Sequence, residues 1–238
     1  FLKRIIMNKI DEIYVEIDNL KRCVKLLEYG LETHSINAIL GKPGLGKTVS
    51  IHFFLKEHKN NVVKVKVEKS TTPRIFYSTI FNQISDEKYD PNIPLNFLIK
   101  RVANLFVSKN CDMLLLVDEI TKFEHNFFEH LQDFWELTKG NTGIVLSGGD
   151  YFEGKFNKWS KNIKNGMPEF YSRIERWIKL EKPRKSEIIS IINAYDIYDR
   201  EFEYSCFGVE SFRELVRVRI NHYLQKHRNT FIAQKIFD

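Results

Sequence analysis

The sequence predicts an α/β fold, a parallel sheet with helices on both faces followed by a small helical appendage. Three observations predict it. Short apolar runs alternate with longer stretches of helical periodicity between residues 18 and 180. One run, Met113 to Val117, is apolar throughout, as suits a strand covered on both sides. From Pro183 onward only helical patterns remain. The division expected is residues 1–182 for the core and 183–238 for the appendage.

Taken in order, Asp18 to Tyr29 places Leu20, Val24 and Leu27 on one helical face, and Gly30 reads as its C-terminal glycine. Ser35 to Leu40 is a strand running into a glycine loop, and Thr48 to Glu57 a helix. Asn61 to Val67 is a second strand. Pro73 to Ile84 is a helix with proline in its first turn, and Leu95 to Val107 another. A strand at Asp112 to Val117, a helix at Phe123 to Leu137 and a strand at Gly143 to Ser147 follow. Arg176 to Leu180 closes the sheet. In the appendage, Ser186 to Tyr195 and Val209 to Lys226 are helices, the latter with Phe212, Leu215, Val216, Ile220 and Tyr223 at helical spacing.

Composition narrows the function classes. With 43% hydrophobic and 29% charged residues in 238, the chain buries a core, which excludes the disordered and fibrous classes. No apolar run approaches a membrane span or the core of a signal peptide. Cys23, Cys111 and Cys206 are scattered and odd in number, so a reduced, cytoplasmic protein is expected. The first residue is Phe, so the start is expected to be trimmed or to belong to a longer chain. The net charge is +6, and residues 151–182 alone carry 8 basic against 4 acidic side chains. That concentration is either a polyanion-binding surface or a solvated face.

Gly41-Lys42-Pro43-Gly44-Leu45-Gly46-Lys47-Thr48 matches GxxxxGK[ST] between an apolar strand and a helix. Glycines let successive N–H groups point into one concavity, and the following helix adds its positive end. Lys47 reaches the β- and γ-phosphates of a nucleotide, and Thr48 ligates Mg2+. Leu114 to Val117 ends in Asp118 and Glu119, on a strand expected beside the first one. Asp118 then holds Mg2+ through water and Glu119 orients and deprotonates the attacking water, the arrangement of an ATPase.

With these motifs in order, the chain resembles the AAA+ ATPases, and more narrowly the MuB-, TnsC- and TniB-type transposition ATPases. GKPGLGKT, LLLVDEI, GIVLSGGDYF and SRIERWIKL carry the resemblance, the last two more weakly. It implies a P-loop AAA+ core with a C-terminal helical lid, ATP and Mg2+ as ligands, and hydrolysis to ADP and phosphate. It also implies an ATP-dependent homo-oligomer, ring or filament, on duplex DNA, with a transposase as partner and no membrane. Carried over by position, Arg173 resembles an arginine finger offered to a neighbouring subunit, with Arg176 as the alternative. Arg213 resembles the lid arginine that senses nucleotide, its bland reading being a pair with Glu210 or Glu214 on its own helix. The family's usual polar residue at the end of the third core strand aligns with Gly149, so either Ser147 or Asp150 substitutes or hydrolysis is slow.

Lys155, Lys158, Lys161 and Lys164 recur every third residue around Trp159, a spacing that keeps them on one side of a helix. Lysines so placed suit a phosphate backbone without base readout, and Lys69 and Arg74 are expected to line the same surface. The histidine pairs 125/130 and 222/227 are five apart, which does not suit zinc. Phe53, Phe54, Phe127, Phe128, Phe134 and Trp135 read as core packing. Two other functions are weighed: an initiator or helicase-loader ATPase of the ORC/Cdc6 kind, which shares every motif, and a non-enzymatic nucleotide switch in signalling or antiviral defence. The first usually adds a winged helix after its lid, which the residues beyond the last helix are too few to form unless the chain is truncated.

Overall fold

Ile36–Leu40 (β1), Val62–Lys66 (β2), Met113–Asp118 (β3), Thr142–Gly148 (β4) and Ile174–Lys179 (β5) form one parallel sheet in the order β2-β3-β4-β1-β5. The computed structural model describes residues 15–162 and 167–227. One expectation is corrected at once: the acidic strand β3 does not lie beside β1, because β4 stands between them. The strand ends remain level, since Asp118 pairs with Ser147 and Leu40 with Gly148. All the strands therefore deliver their carboxyl ends to one rim, where open α/β sheets bind ligands.

Side-chain alternation divides the sheet into two faces. Ala38, Leu40, Val63, Val65, Leu115, Val117, Ile144 and Leu146 face one large core. It is covered by Pro73–Ile84 (α3), Leu95–Val107 (α4), Phe127–Thr138 (α5), Phe152–Lys161 (α6) and Met167–Ser172 (α7). Phenylalanines fill it: Phe76, Phe106, Phe127, Phe128, Phe134, Phe152, Phe156 and Phe170 are all but fully buried. These aromatics, with Phe54 on the other side of the sheet, are packing residues, as their helical spacing predicts. Pro73 occupies the first turn of α3, where Thr72 caps the Ile75 N–H at 3.3 Å.

The opposite face, bearing Asn37, Ile39, Leu114, Leu116, Val145 and Ser147, lies on the side of Asp18–Thr33 (α1) and its Gly30. Gly30 does not end that helix, which runs on to Thr33. Its role is close approach: a Cβ on Gly143 of β4 would stand 1.9 Å from the Gly30 carbonyl oxygen. Backbone meets backbone there, and neither side can yield as a flexible side chain would. Gly143→Ala is therefore expected to destabilise the chain by about 2–4 kcal/mol in urea unfolding. A loss under 0.5 kcal/mol contradicts this packing.

Other differences are local. β5 begins at Ile174, two residues before the predicted start, and a register shift against β1 absorbs the extra residue. α5 begins at Phe127 because Ile120–Lys122 forms a 3-10 turn first. The short helices α7 and Arg200–Cys206 have too few residues to show periodicity in sequence.

The chain divides into two units, the sheet with its helices (22–42 and 47–180) and a second comprising 43–46, 181–227 and the described residues up to 21. In the second unit Lys185–Asn193 (α8), Arg200–Cys206 (α9) and a helix over 212–226 (α10) bury Ile188, Ile192, Ile197, Cys206, Leu215 and Ile220. Asp199 and Ser211 cap α9 and α10 through the N–H groups of Phe202 and Glu214, at 3.0 and 3.1 Å. The Ser211 cap starts α10 three residues later than predicted. Leu215–Ile220 within it is wound as a π-helix. No helix among the described residues is long and apolar enough to cross a membrane.

Candidate nucleotide-binding site

The loop after β1 takes its shape from two glycines. Gly44 and Gly46 have φ of +85° and +99°, which L side chains rarely adopt. A Cβ on Gly44 would stand 2.8 Å from Cβ of Arg213, whose N–H donates to the Gly44 carbonyl at 3.2 Å. A Cβ on Gly46 would meet nothing within 4 Å, so this stretch is open to a ligand. Beneath, Asn19 is 3% exposed and holds the loop: its Nδ2 donates to the carbonyls of Leu45 (3.1 Å) and Glu181 (2.8 Å), while its Oδ1 accepts the Glu181 N–H at 3.2 Å. Sequence reasoning missed Asn19. Its signal is a polar residue four positions before Cys23 on the buried stripe of α1.

Lys47 is the first residue of Lys47–Glu57 (α2), and its Nζ donates to the carbonyls of Gly41 and, at 3.1 Å, Lys42. Burial pushes its ammonium pKa down, and the carboxylates of Glu119, Asp118 and Asp150 push it back up. Three acids thus converge on the field of one partly buried cation. Thr48 follows it, exposed, in the first turn of α2. Cys23 is sealed below and hydrogen-bonds Ser50, with burial driving its thiol up to about 11.

Asp118 ends β3, 6% exposed. One carboxylate oxygen accepts the Glu119 N–H at 3.0 Å and the other lies 3.8 Å from Nζ of Lys64 on β2. Glu119 sits in the left-handed region at φ 61°, ψ 35°. Such strain in a non-glycine residue costs on the order of 1 kcal/mol and clusters at functional sites. Ser147, opposite Asp118 on β4, is fully buried, and its hydroxyl has no hydrogen-bond partner among the described residues. Of the three candidates at the end of β4, Gly149 contributes no side chain, Ser147 flanks Asp118, and Asp150 enters the field of Lys47. No group of three or more metal-ligating side chains occurs among the described residues. Mg2+ bound through one or two protein oxygens plus phosphates needs none.

Arg173 occupies the other end of the sheet. Ile174 pairs with the first residue of β1 and Lys179 with its last, so Arg173 lies about 20 Å along the strands from the loop after β1 at ~3.3 Å per residue. Its guanidinium pairs with Glu136 of α5 at 2.6 Å and stacks 5.3 Å from the Trp135 ring centroid. Arg176, the alternative, is exposed on β5 with its guanidinium 3.4 Å over the Tyr29 ring. In the second unit Glu210 pairs with Lys182 and Glu214 with Arg219, so the intrahelical partners considered for Arg213 are engaged elsewhere.

The basic residues separate into two groups. Lys158 and Lys161 are exposed on α6, whose buried Phe152 and Phe156 turn inward. Lys155 is occupied within the fold, 3.6 Å from Glu124 and 4.5 Å from the Trp159 ring centroid. Lys164 lies outside the described residues. Lys69 is exposed just beyond β2. Arg74 does not line an open surface with it: its guanidinium donates to the carbonyls of Pro91 (3.2 Å) and Ile93 (2.7 Å), tying down the connection between α3 and α4.

Comparison with known proteins identifies the family and the fold. A sequence family described as an AAA domain matches residues 31–156. The DNA transposition protein B of a Mu-like prophage in Haemophilus influenzae is 22% identical over 186 residues, 77% of this chain and 62% of that protein. An ATP-dependent target DNA activator B from Escherichia phage D108 is also 22% identical, over 77% of this chain and 56% of its own length. The chain thus spans about three fifths of the curated relatives it matches. Among solved structures, the Aeropyrum pernix ORC2 protein, in ADPNP and ADP complexes, superposes with a TM-score of 0.70 at 16% identity, covering 93% of this chain and 67% of that one. The Aeropyrum pernix ORC1 protein in complex with DNA gives 0.63 at 13%, covering 88% and 60%. These likenesses show the fold.

Proposed function

Because the chain belongs to the AAA domain family, we propose that it is an ATPase that assembles with ATP on duplex DNA and directs a transposase to its target. One observation carries the reading: the glycine loop after β1 and the acidic end of β3 share the rim where the parallel strands end level, while Arg173 lies at the far end of the strands, out of reach of its own loop. A site so divided is completed only by a second copy, head to tail. The similarity to transposition protein B and target DNA activator B supports the DNA and transposase part.

The residues present fit a nucleotide with its magnesium. Gly46 leaves room where a side chain would stand, and the unpartnered Ser147 hydroxyl lies beside Asp118. Mg2+ would be held by the Thr48 hydroxyl and, through water, by Asp118, and would supply charge neutralisation to the phosphates. Lys47 and the loop amides hold the phosphates. Glu119 accepts the proton of the attacking water at its carboxylate, and Arg173 of the neighbouring copy stabilises charge on the γ-phosphate. Arg213 acts as the nucleotide-sensing arginine. Lys158, Lys161 and Lys69 bind DNA phosphates without reading bases.

Negative-stain imaging with duplex DNA under ATP, ADP or no nucleotide tests the reading. Rings or filaments with ATP are expected, and a chain that stays monomeric under all three conditions refutes it. Lys158→Glu with Lys161→Glu is expected to weaken DNA binding uniformly across sequences and flatten the log-log salt slope by about 2. An unchanged slope removes α6 from the interface. The second reading, an origin-recognition initiator, is favoured by the ORC2 superposition. A sequence-preferring footprint without ATP-driven growth along DNA selects it.

A further inference from the structure

Resting on the assembled-ATPase reading above, we propose that Glu136 is a latch that holds Arg173 inside its own subunit and gives it up when a neighbouring triphosphate arrives. The same carboxylate thereby couples assembly to turnover.

The pairing is specific. Arg173 follows α7 directly, its N–H donating to the Phe170 carbonyl at 3.1 Å, and precedes β5, so its backbone is held at the helix end. Glu136 sits on the last turns of α5, and the 2.6 Å contact is a short, charge-assisted bond. Trp135 supplies the floor: 9% exposed and fixed by donating its Nε1–H to the His34 carbonyl at 3.0 Å, it presents its ring 5.3 Å from the guanidinium. The latch stays wet, with the side chains of Arg173 and Glu136 31% and 41% exposed. A fully buried pair could not exchange partners without stranding a charge. A pair this exposed can, because water covers the carboxylate as the guanidinium leaves.

A triphosphate out-competes the carboxylate for the same planar donor, offering more charge and more acceptor oxygens. The exchange leaves Glu136 unpaired at the subunit boundary, so assembly without a triphosphate trades an ion pair for nothing. This makes Glu136 a positioning residue that penalises empty or diphosphate-bound assembly.

The test uses the full chain on duplex DNA. Glu136→Gln keeps the shape and removes the charge. Its half-maximal concentration for ATP-dependent assembly is expected to fall about 3- to 10-fold, with assembly appearing under ADP as well. Arg173→Ala reports the parent reading independently: it must abolish cooperative turnover. A second readout follows the latch itself. In a Trp159→Phe, Trp177→Phe background, Trp135 emission is expected to shift on ATP-driven assembly, and Arg173→Ala to remove that shift.

If Glu136→Gln instead loses turnover as Arg173→Ala does, the carboxylate positions the arginine for catalysis and the latch is refuted. If Glu136→Gln leaves both the assembly concentration and the need for a triphosphate unchanged, the contact is merely structural and the proposal also falls. If Arg173→Ala turns over normally, the finger assignment fails first.

Discussion

Lys47→Ala is expected to abolish ATP binding, with affinity falling at least ~100-fold in titration calorimetry with a slowly hydrolysed ATP analogue and magnesium. The magnitude comes from two terms of the same sign. A charge-assisted hydrogen bond to phosphate contributes about 1.5–3 kcal/mol. Without the ammonium, Asp118, Glu119 and Asp150 face a polyanion with no buried cation between them and the phosphates. Like charges in a partly desolvated rim repel more than in water. Because Lys47 is itself disfavoured by burial, the unliganded variant is expected to fold at least as stably as the parent in thermal melts. Retained affinity within 5-fold contradicts the assignment of the loop.

Glu119→Gln is expected to keep ATP affinity within a few-fold while turnover on DNA drops by about 10²- to 10⁴-fold, the usual weight of a general base. Phosphate release at saturating ATP measures it. Assemblies then persist rather than disperse, visible as light scattering that does not decay. A companion variant separates backbone from side chain: Glu119→Gly also loses turnover, yet relief of the left-handed φ of 61° is expected to raise stability by about 0.5–1 kcal/mol. Turnover preserved in Glu119→Gln moves the base elsewhere, with Asp150 the next carboxylate in the field of Lys47.

The elements legible in sequence were those whose physics is local. A continuous apolar run made β3 readable and mostly apolar ones β1 and β4, and Pro73 and Gly44 announced a helix start and a turn that few other residues allow. The order of strands was not legible, because nothing in the chain states that β4 inserts between β1 and β3. Gly30 misled for the same reason: its lack of a side chain makes room for Val145 and Asn37 on the sheet, which a Cβ there would approach to 3.1 and 3.2 Å, and does not mark the end of its own helix. Arg74 and Lys155 read as free cations until their partners at Pro91, Ile93 and Glu124 came into place.

What the chain alone determined is the local frame of the proposed chemistry. Spacing within GKPGLGKT and LLLVDE suffices there, because a phosphate cradle and a carboxylate at a strand end are built from neighbours in sequence. Only the tertiary structure decided which groups share a field and which are kept apart. Asp118 and Asp150 converge on Lys47 because parallel strands end level, and Arg173 is held at the opposite rim, bound to Glu136, because β5 starts where β1 starts. Long-range pairing fixes those distances, and no local propensity encodes it.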